Sequence, residues 1–145
     1  MKKILLPITA ALVCSASLYA KDKSAINDLE KAVTEAASQK KTLFVVYGRE
    51  ACGNCRALHD LIDTKKLTLP KSQYLIADIN CDDSVQKKAF RARYTVDGKT
   101  LPFVVVAAPT GEMLASRSGY GTLPEYTALL RDAKKQAKAL EKKTP

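Results

Sequence analysis

The sequence predicts an α/β protein with a central mixed sheet of about four strands flanked by helices. Segments whose apolar residues recur at helical spacing alternate with short runs rich in β-branched and aromatic residues. The runs at 43–47 and 101–107 carry no polar stripe, as expected of strands covered on both faces. Pro109-Thr110-Gly111-Glu112 is a turn signature between the last two strand candidates, so those two pair as an antiparallel hairpin.

In chain order, residues 1–20 come first. Lys2 and Lys3 precede an apolar stretch from Ile4 to Val13, and small or polar residues then lead to Leu18-Tyr19-Ala20. This is the pattern of a secretory signal peptide cleaved after Ala20, with an apolar part too short to span a membrane. Bulky Val13 directly precedes Cys14, where a lipidation motif carries a small residue, so Cys14 is expected to leave with the signal. The signal has a bacterial character, which makes the periplasm the expected destination. Residues 21–145 then suit a single domain with one core. Three cysteines remain in them, and an odd count excludes a fully disulfide-stapled scaffold.

Over 25–39, Ile26, Leu29, Ala32, Val33, Ala36 and Ala37 make an amphipathic helix. The strand at 43–47 follows and breaks at Gly48. Cys52-Gly53-Asn54-Cys55 comes next, and Leu58, Leu61 and Ile62 extend a helical pattern to about Thr64, with Pro70 in the connection beyond. A strand at 74–79 runs into the polar stretch around Asn80-Cys81-Asp82-Asp83, read as a loop and the first turn of a helix over 84–94. Val85, Ala89 and Phe90 form its packing side. Val96-Asp97-Gly98-Lys99 makes a turn, and the strand at 101–107 opens with Leu101-Pro102, where a missing backbone donor is tolerated. Met113 to Arg117 returns as the second arm of the hairpin, and Gly119-Tyr120-Gly121 breaks the chain. A last helix from about Leu123 packs Tyr126, Leu129, Leu130 and Ala133. Its lysine-rich continuation over 134–143 is expected to fray or extend into solvent as a basic helix or tail.

The chemistry concentrates at the two closely spaced cysteines. At a helix N-terminus, unpaired backbone N–H groups and the helix dipole favour a thiolate, which makes Cys52 the candidate nucleophile. Cys55, three residues on and on the same face, can resolve a mixed disulfide formed at Cys52. Gly53 and Asn54 are small and keep the turn open to a partner. Arg49 and Arg56 add positive potential nearby and Glu50 opposes it. The same spacing also suits half of a zinc site or a purely structural bridge, but no second close pair accompanies it and His59 is the single histidine. No metal or other cofactor is therefore expected. His59 is read mainly as a packing residue at the edge of the site, with redox tuning or completion of a metal site as its functional alternatives. Cys81 ends a strand on the same sheet edge as Cys52, so it is either an inert part-buried thiol or a regulatory third one. Tyr47, Tyr94 and Tyr120 are read as packing aromatics with hydroxyls at the surface, and Phe44, Phe90 and Phe103 as core.

The formal charge of +9 falls to +7 on loss of Lys2 and Lys3. A moderate positive balance without basic-aromatic repeats or a zinc-finger array gives no basis for nucleic-acid binding.

Read together, the Cys52–Cys55 pair, the Leu101-Pro102 strand start and the order of elements resemble the thioredoxin superfamily, in particular its secreted thioredoxin-like branch. The likeness spans about residues 25–130. It implies a thioredoxin-like fold in which Cys52 is the attacking cysteine and Cys55 the recessed resolving one. Pro102 matches the family's cis-proline facing the dithiol, the Leu101 backbone would pair with a substrate peptide, and Gly119 matches the glycine at the site's edge. The chain departs from thioredoxins proper at four places. Ala51 replaces a tryptophan, and Val46 a buried aspartate that assists proton transfer from the second cysteine. Asp60 replaces a helix-kinking proline, and Gly53-Asn54 stands between the cysteines in place of Gly-Pro. The acceptor for the Cys55 proton would then be solvent, Glu50 or no dedicated group.

The expected function is a periplasmic thiol-disulfide oxidoreductase acting on protein disulfides or dithiols, with reduction the preferred direction and an envelope redox partner restoring the dithiol. A monomer with no transmembrane segment after signal cleavage is expected. The alternatives are a disulfide oxidase or isomerase, a metal-binding or metallochaperone module using the cysteine pair, and a non-catalytic interaction domain.

Overall fold

A computed structural model of the protein describes residues 25–143. The expected signal peptide with Cys14, and residues 21–24 and 144–145, lie outside the described residues. The elements follow in the order α1 (Leu29–Gln39), β1 (Thr42–Gly48), α2 (Gly53–Asp63), β2 (Tyr74–Asn80), α3 (Ser84–Arg93), β3 (Phe103–Ala107), β4 (Met113–Ser118) and α4 (Leu123–Glu141). The sheet order is β2-β1-β3-β4, with β1 and β2 parallel and the other pairs antiparallel. This is the predicted mixed four-stranded sheet.

Alternating side chains of the two central strands feed two cores. Leu43, Val45, Tyr47, Phe103, Val105 and Ala107 meet α1 and α3 on one face, through Leu29, Ala32, Ala36 and Phe90. On the other face Phe44, Val46, Val104 and Val106 meet α2 and α4 through Leu58, Tyr126 and Leu129. Phe90 stacks on Tyr47 with ring centroids 4.1 Å apart and meets Tyr94 and Phe103 edge-on, which fixes α3 against the active end of β1.

Several boundaries differ from the expected ones, each for a local reason. Helix α1 begins at Leu29 because the Asp28 carboxylate accepts from the Lys31 amide at 2.8 Å as an N-cap. Ile26, expected on the helix, instead extends the sheet beyond β2, exchanging two 2.9 Å backbone hydrogen bonds with Ile76 and Asp78. Strand β2 continues one residue further, to Asn80. Strand β3 begins at Phe103 after a cis Leu101-Pro102 peptide, and the Pro102 carbonyl accepts from the Gly119 amide at 2.9 Å.

Three side-chain expectations are corrected. Val85 is 69% exposed, because it lies in the first turn of α3, beyond the core that Ala89 and Phe90 reach. The Tyr94 hydroxyl lies inside the protein rather than at the surface, and it has no hydrogen-bond partner among the described residues. The lysine-rich continuation does not fray at 134: α4 runs on to Glu141, and Ala137 and Leu140 pack against the same core as Leu129. Its start is fixed by Glu125, whose carboxylate reaches back to accept from the Thr122 amide at 2.7 Å.

Candidate active site

Strand polarity gathers the candidate residues at one end of the sheet. Parallel β1 and β2 end there at Gly48 and Asn80, and antiparallel β3 begins there, since Tyr47 pairs with Phe103. Phe103 pairs with Ser118 in turn. The loop to Cys52, the cis Leu101-Pro102 bond, Gly119 and Cys81 therefore share this end.

Cys52 is the N-cap of α2, and its Sγ accepts from the Cys55 amide at 3.2 Å. A first-turn backbone donor of the helix thus points at the sulfur that would carry negative charge as a thiolate. Cys52 and Cys55 are joined as a disulfide. Their burial is unequal: Cys52 is half-buried, whereas Cys55 is 2% exposed. The Cys55 sulfur occupies the space a side chain at position 48 would fill, because a Cβ on Gly48 would stand 2.7 Å from Cys55 Sγ. Gly48 thus does more than end the strand, and its neighbour-free α-carbon seats the second sulfur.

Around the pair, Gly53 and Asn54 are exposed on the first turn of α2. Arg56 folds back to donate to the Glu50 carbonyl at 3.0 Å, bracing the loop before Cys52. Arg49 turns toward the neighbouring strand end, where its guanidinium stands 3.5 Å from the Asp82 carboxylate, next in sequence to Cys81. Gly119 has a positive φ of 81°, a conformation that favours glycine, and its amide donates to both Thr100 and Pro102 carbonyls.

Cys81 is 7% exposed, and its amide donates to the Gly48 carbonyl at 2.7 Å. Its side chain, however, joins Tyr47, Ile79 and Phe90 in the core facing α1 and α3. The disulfide lies on the Val46 side of β1, so the third sulfur shares the sheet end but occupies the opposite face. Among the described residues, no group of three His, Cys, Asp or Glu side chains is placed to hold a metal ion.

His59 lies one helical turn beyond Cys55, and its Nε2 is 3.3 Å from Asp78 Oδ2. Asp78 pairs in register with Val46 on the adjacent strand. The sequence places Asp78 in the strand at 74–79 but gives it no role, because its partner lies on a helix distant in the chain. The available signal was a carboxylate flanked by Ala77 and Ile79 at strand spacing.

No family model matches the sequence, and none of the curated proteins matches it. Among solved structures the chain is similar to a mutant thioredoxin from Halobacterium salinarum NRC-1, with 19% identity, a TM-score of 0.55 and coverage of 72% of this chain and 85% of that one. That likeness concerns the fold. The chain has a thioredoxin-like α/β fold carrying a Cys-x-x-Cys disulfide at the start of its second helix.

Proposed function

We propose that this protein is a thiol-disulfide oxidoreductase of the bacterial periplasm that reduces disulfides in protein substrates. The observation that carries the reading is the asymmetry of the Cys52–Cys55 pair: an accessible sulfur at a helix N-terminus and a buried one beneath it. Residues 21–145 act as a single domain once the signal at 1–20 is removed. No helix among the described residues is long and apolar enough to cross a membrane.

In the reducing direction the Cys52 thiolate attacks one sulfur of a substrate disulfide and forms a mixed disulfide, releasing the other sulfur as a thiolate. The Cys55 sulfur then attacks Cys52 Sγ. The substrate's second sulfur leaves, and the Cys52–Cys55 disulfide forms. Two electrons have passed to the substrate, and a dithiol partner in the envelope returns them. Leu101 and cis Pro102 share the sheet end of the pair and, by the resemblance to thioredoxins, would offer backbone to an extended substrate segment, with Gly119 at the site's edge.

Replacing the resolving residue, Cys55→Ser, should trap substrates as mixed disulfides on Cys52. Those adducts should be absent from a Cys52→Ser/Cys55→Ser protein. Equal capture by both variants would refute the reading. A Cys52/Cys55 potential close to those of strong disulfide oxidants, together with catalysed oxidation of a reduced protein, would reverse the assigned direction.

A further inference from the structure

The reaction above leaves one proton unassigned. Cys55 must lose its proton to attack, yet its sulfur is sealed against Gly48 with wholly buried Val46 next along the same strand face. Strand β1 supplies no titratable group on that face next to the sulfur. The Arg56 guanidinium is turned to the Glu50 carbonyl. The neighbouring elements do supply an acceptor. His59 follows Cys55 by one turn of α2, and adjacent turns on one helix face bring side chains within about 6 Å at Cβ. Its Nε2 meets the carboxylate of Asp78 at 3.3 Å, and Asp78 stands in register with Val46.

From this geometry we infer that the His59–Asp78 pair is the proton relay of the resolving cysteine. The inference rests on the oxidoreductase reading and deepens it. When Cys55 Sγ attacks Cys52 Sγ, the bond between the two cysteines forms and the bond from Cys52 to the substrate sulfur breaks. The Cys55 proton passes to the His59 imidazole, Asp78 holds the resulting imidazolium, and the leaving sulfur departs as a thiolate. In the reverse reaction the imidazolium returns the proton. Side-chain exposures of 31% for His59 and 46% for Asp78 let the pair exchange protons with water between turnovers. Besides Asp78, the charged or titratable residues on the adjoining turns of α2 are Cys55, Arg56, Asp60 and Asp63, and Tyr74 follows by alternation on the same face of β2. Asp78 stands at contact distance from the imidazole and carries the sign that stabilises imidazolium.

The reduced full-length mature protein can be mixed with an excess of 5,5′-dithiobis(2-nitrobenzoate), which releases a coloured thiolate twice. The first release reports attack by Cys52 and the second resolution by Cys55. In His59→Gln the second release should slow by about tenfold or more near pH 7 and become proportional to hydroxide. The first release serves as an internal reference for an intact site. Free imidazole added to His59→Ala should restore the second release in proportion to its concentration, a response that a packing defect would not give. Asp78→Asn removes the charge that favours imidazolium, so the pH at which the second release rises should move down. Wild-type second-release rates and pH profiles in His59→Gln and Asp78→Asn would overturn the relay. If the wild type completes both releases but reduces no protein disulfide, the proposed function fails while the relay stands.

Discussion

An alanine at position 48 would carry a Cβ 2.7 Å from Cys55 Sγ, a separation that real Cβ atoms do not adopt. Either β1 or α2 must move, so Gly48→Ala should cost about 1–3 kcal/mol, as overpacking of a tight core does. Urea unfolding of the oxidised protein measures it, and a loss under half a kilocalorie would show that the seat for the sulfur is loose. Tyr94 makes the complementary case, a group whose surroundings are wrong for it. Burial pushes its phenol up to about 12. An unfolded tyrosine titrates near 10, so the folded state favours the protonated form. This contribution is whole below about pH 10 and is lost as the pH rises through about 12. Tyr94→Phe should flatten the stability decline between those values. At pH 7 it should be neutral or stabilising by up to about 1 kcal/mol, since it removes a buried hydroxyl without a partner. Denaturant titrations at pH 7 and pH 11 check both signs.

Helix α2 presents its two cysteines differently, and the difference can be read chemically. In the reduced protein Cys52, half-buried at the helix start, should be alkylated by iodoacetamide at least about tenfold faster than Cys55. Peptide mass mapping over time would show it, and equal rates would contradict the roles given to the two sulfurs. The helix was legible in the sequence because its start is marked by the cysteine pair and its apolar residues keep a strict spacing. Helix α4 was only half legible. Its later turns are mostly lysine and alanine, and composition alone gives no sign that Leu140 lies on the buried stripe of Tyr126, Leu129 and Ala133. Leu140→Ser should therefore destabilise the protein by about 1–2 kcal/mol, less than a full core deletion because the residue is only partly buried. A thermal melt unchanged by that substitution would return the segment to the status of a solvated tail. The start of α1 was misplaced for a related reason: Ile26 fits the helical period, but Asp28 offers a better cap and β2 an open edge.

For the molecule as a whole, the fold was legible because period and length of the apolar runs are local properties. The strand pairs and the two cores follow from them with few choices. What stayed hidden is contact between residues distant in sequence. Asp78 meets His59 only once β2 lies beside β1 and α2 crosses over both, and nothing within either segment signals the pairing. Alkaline sensitivity belongs to this scale as well. Tyr47, Tyr74 and Tyr126, like Tyr94, are raised first of all by burial. Phenols drawn from four different elements thus prefer the folded state neutral, and above about pH 10 the loss should appear as one cooperative transition by fluorescence and circular dichroism alike.

The Gly48 carbonyl and the Cys81 amide are joined by one backbone hydrogen bond, yet their chain segments hold sulfur on opposite sides of the sheet. The sheet therefore stands as a partition between the Cys81 thiol and the Cys52–Cys55 pair. A fold whose described residues hold three cysteines has a choice of partners each time it is oxidised. Here the architecture makes that choice in advance, because a sulfur that cannot come round the strand cannot intercept the exchange.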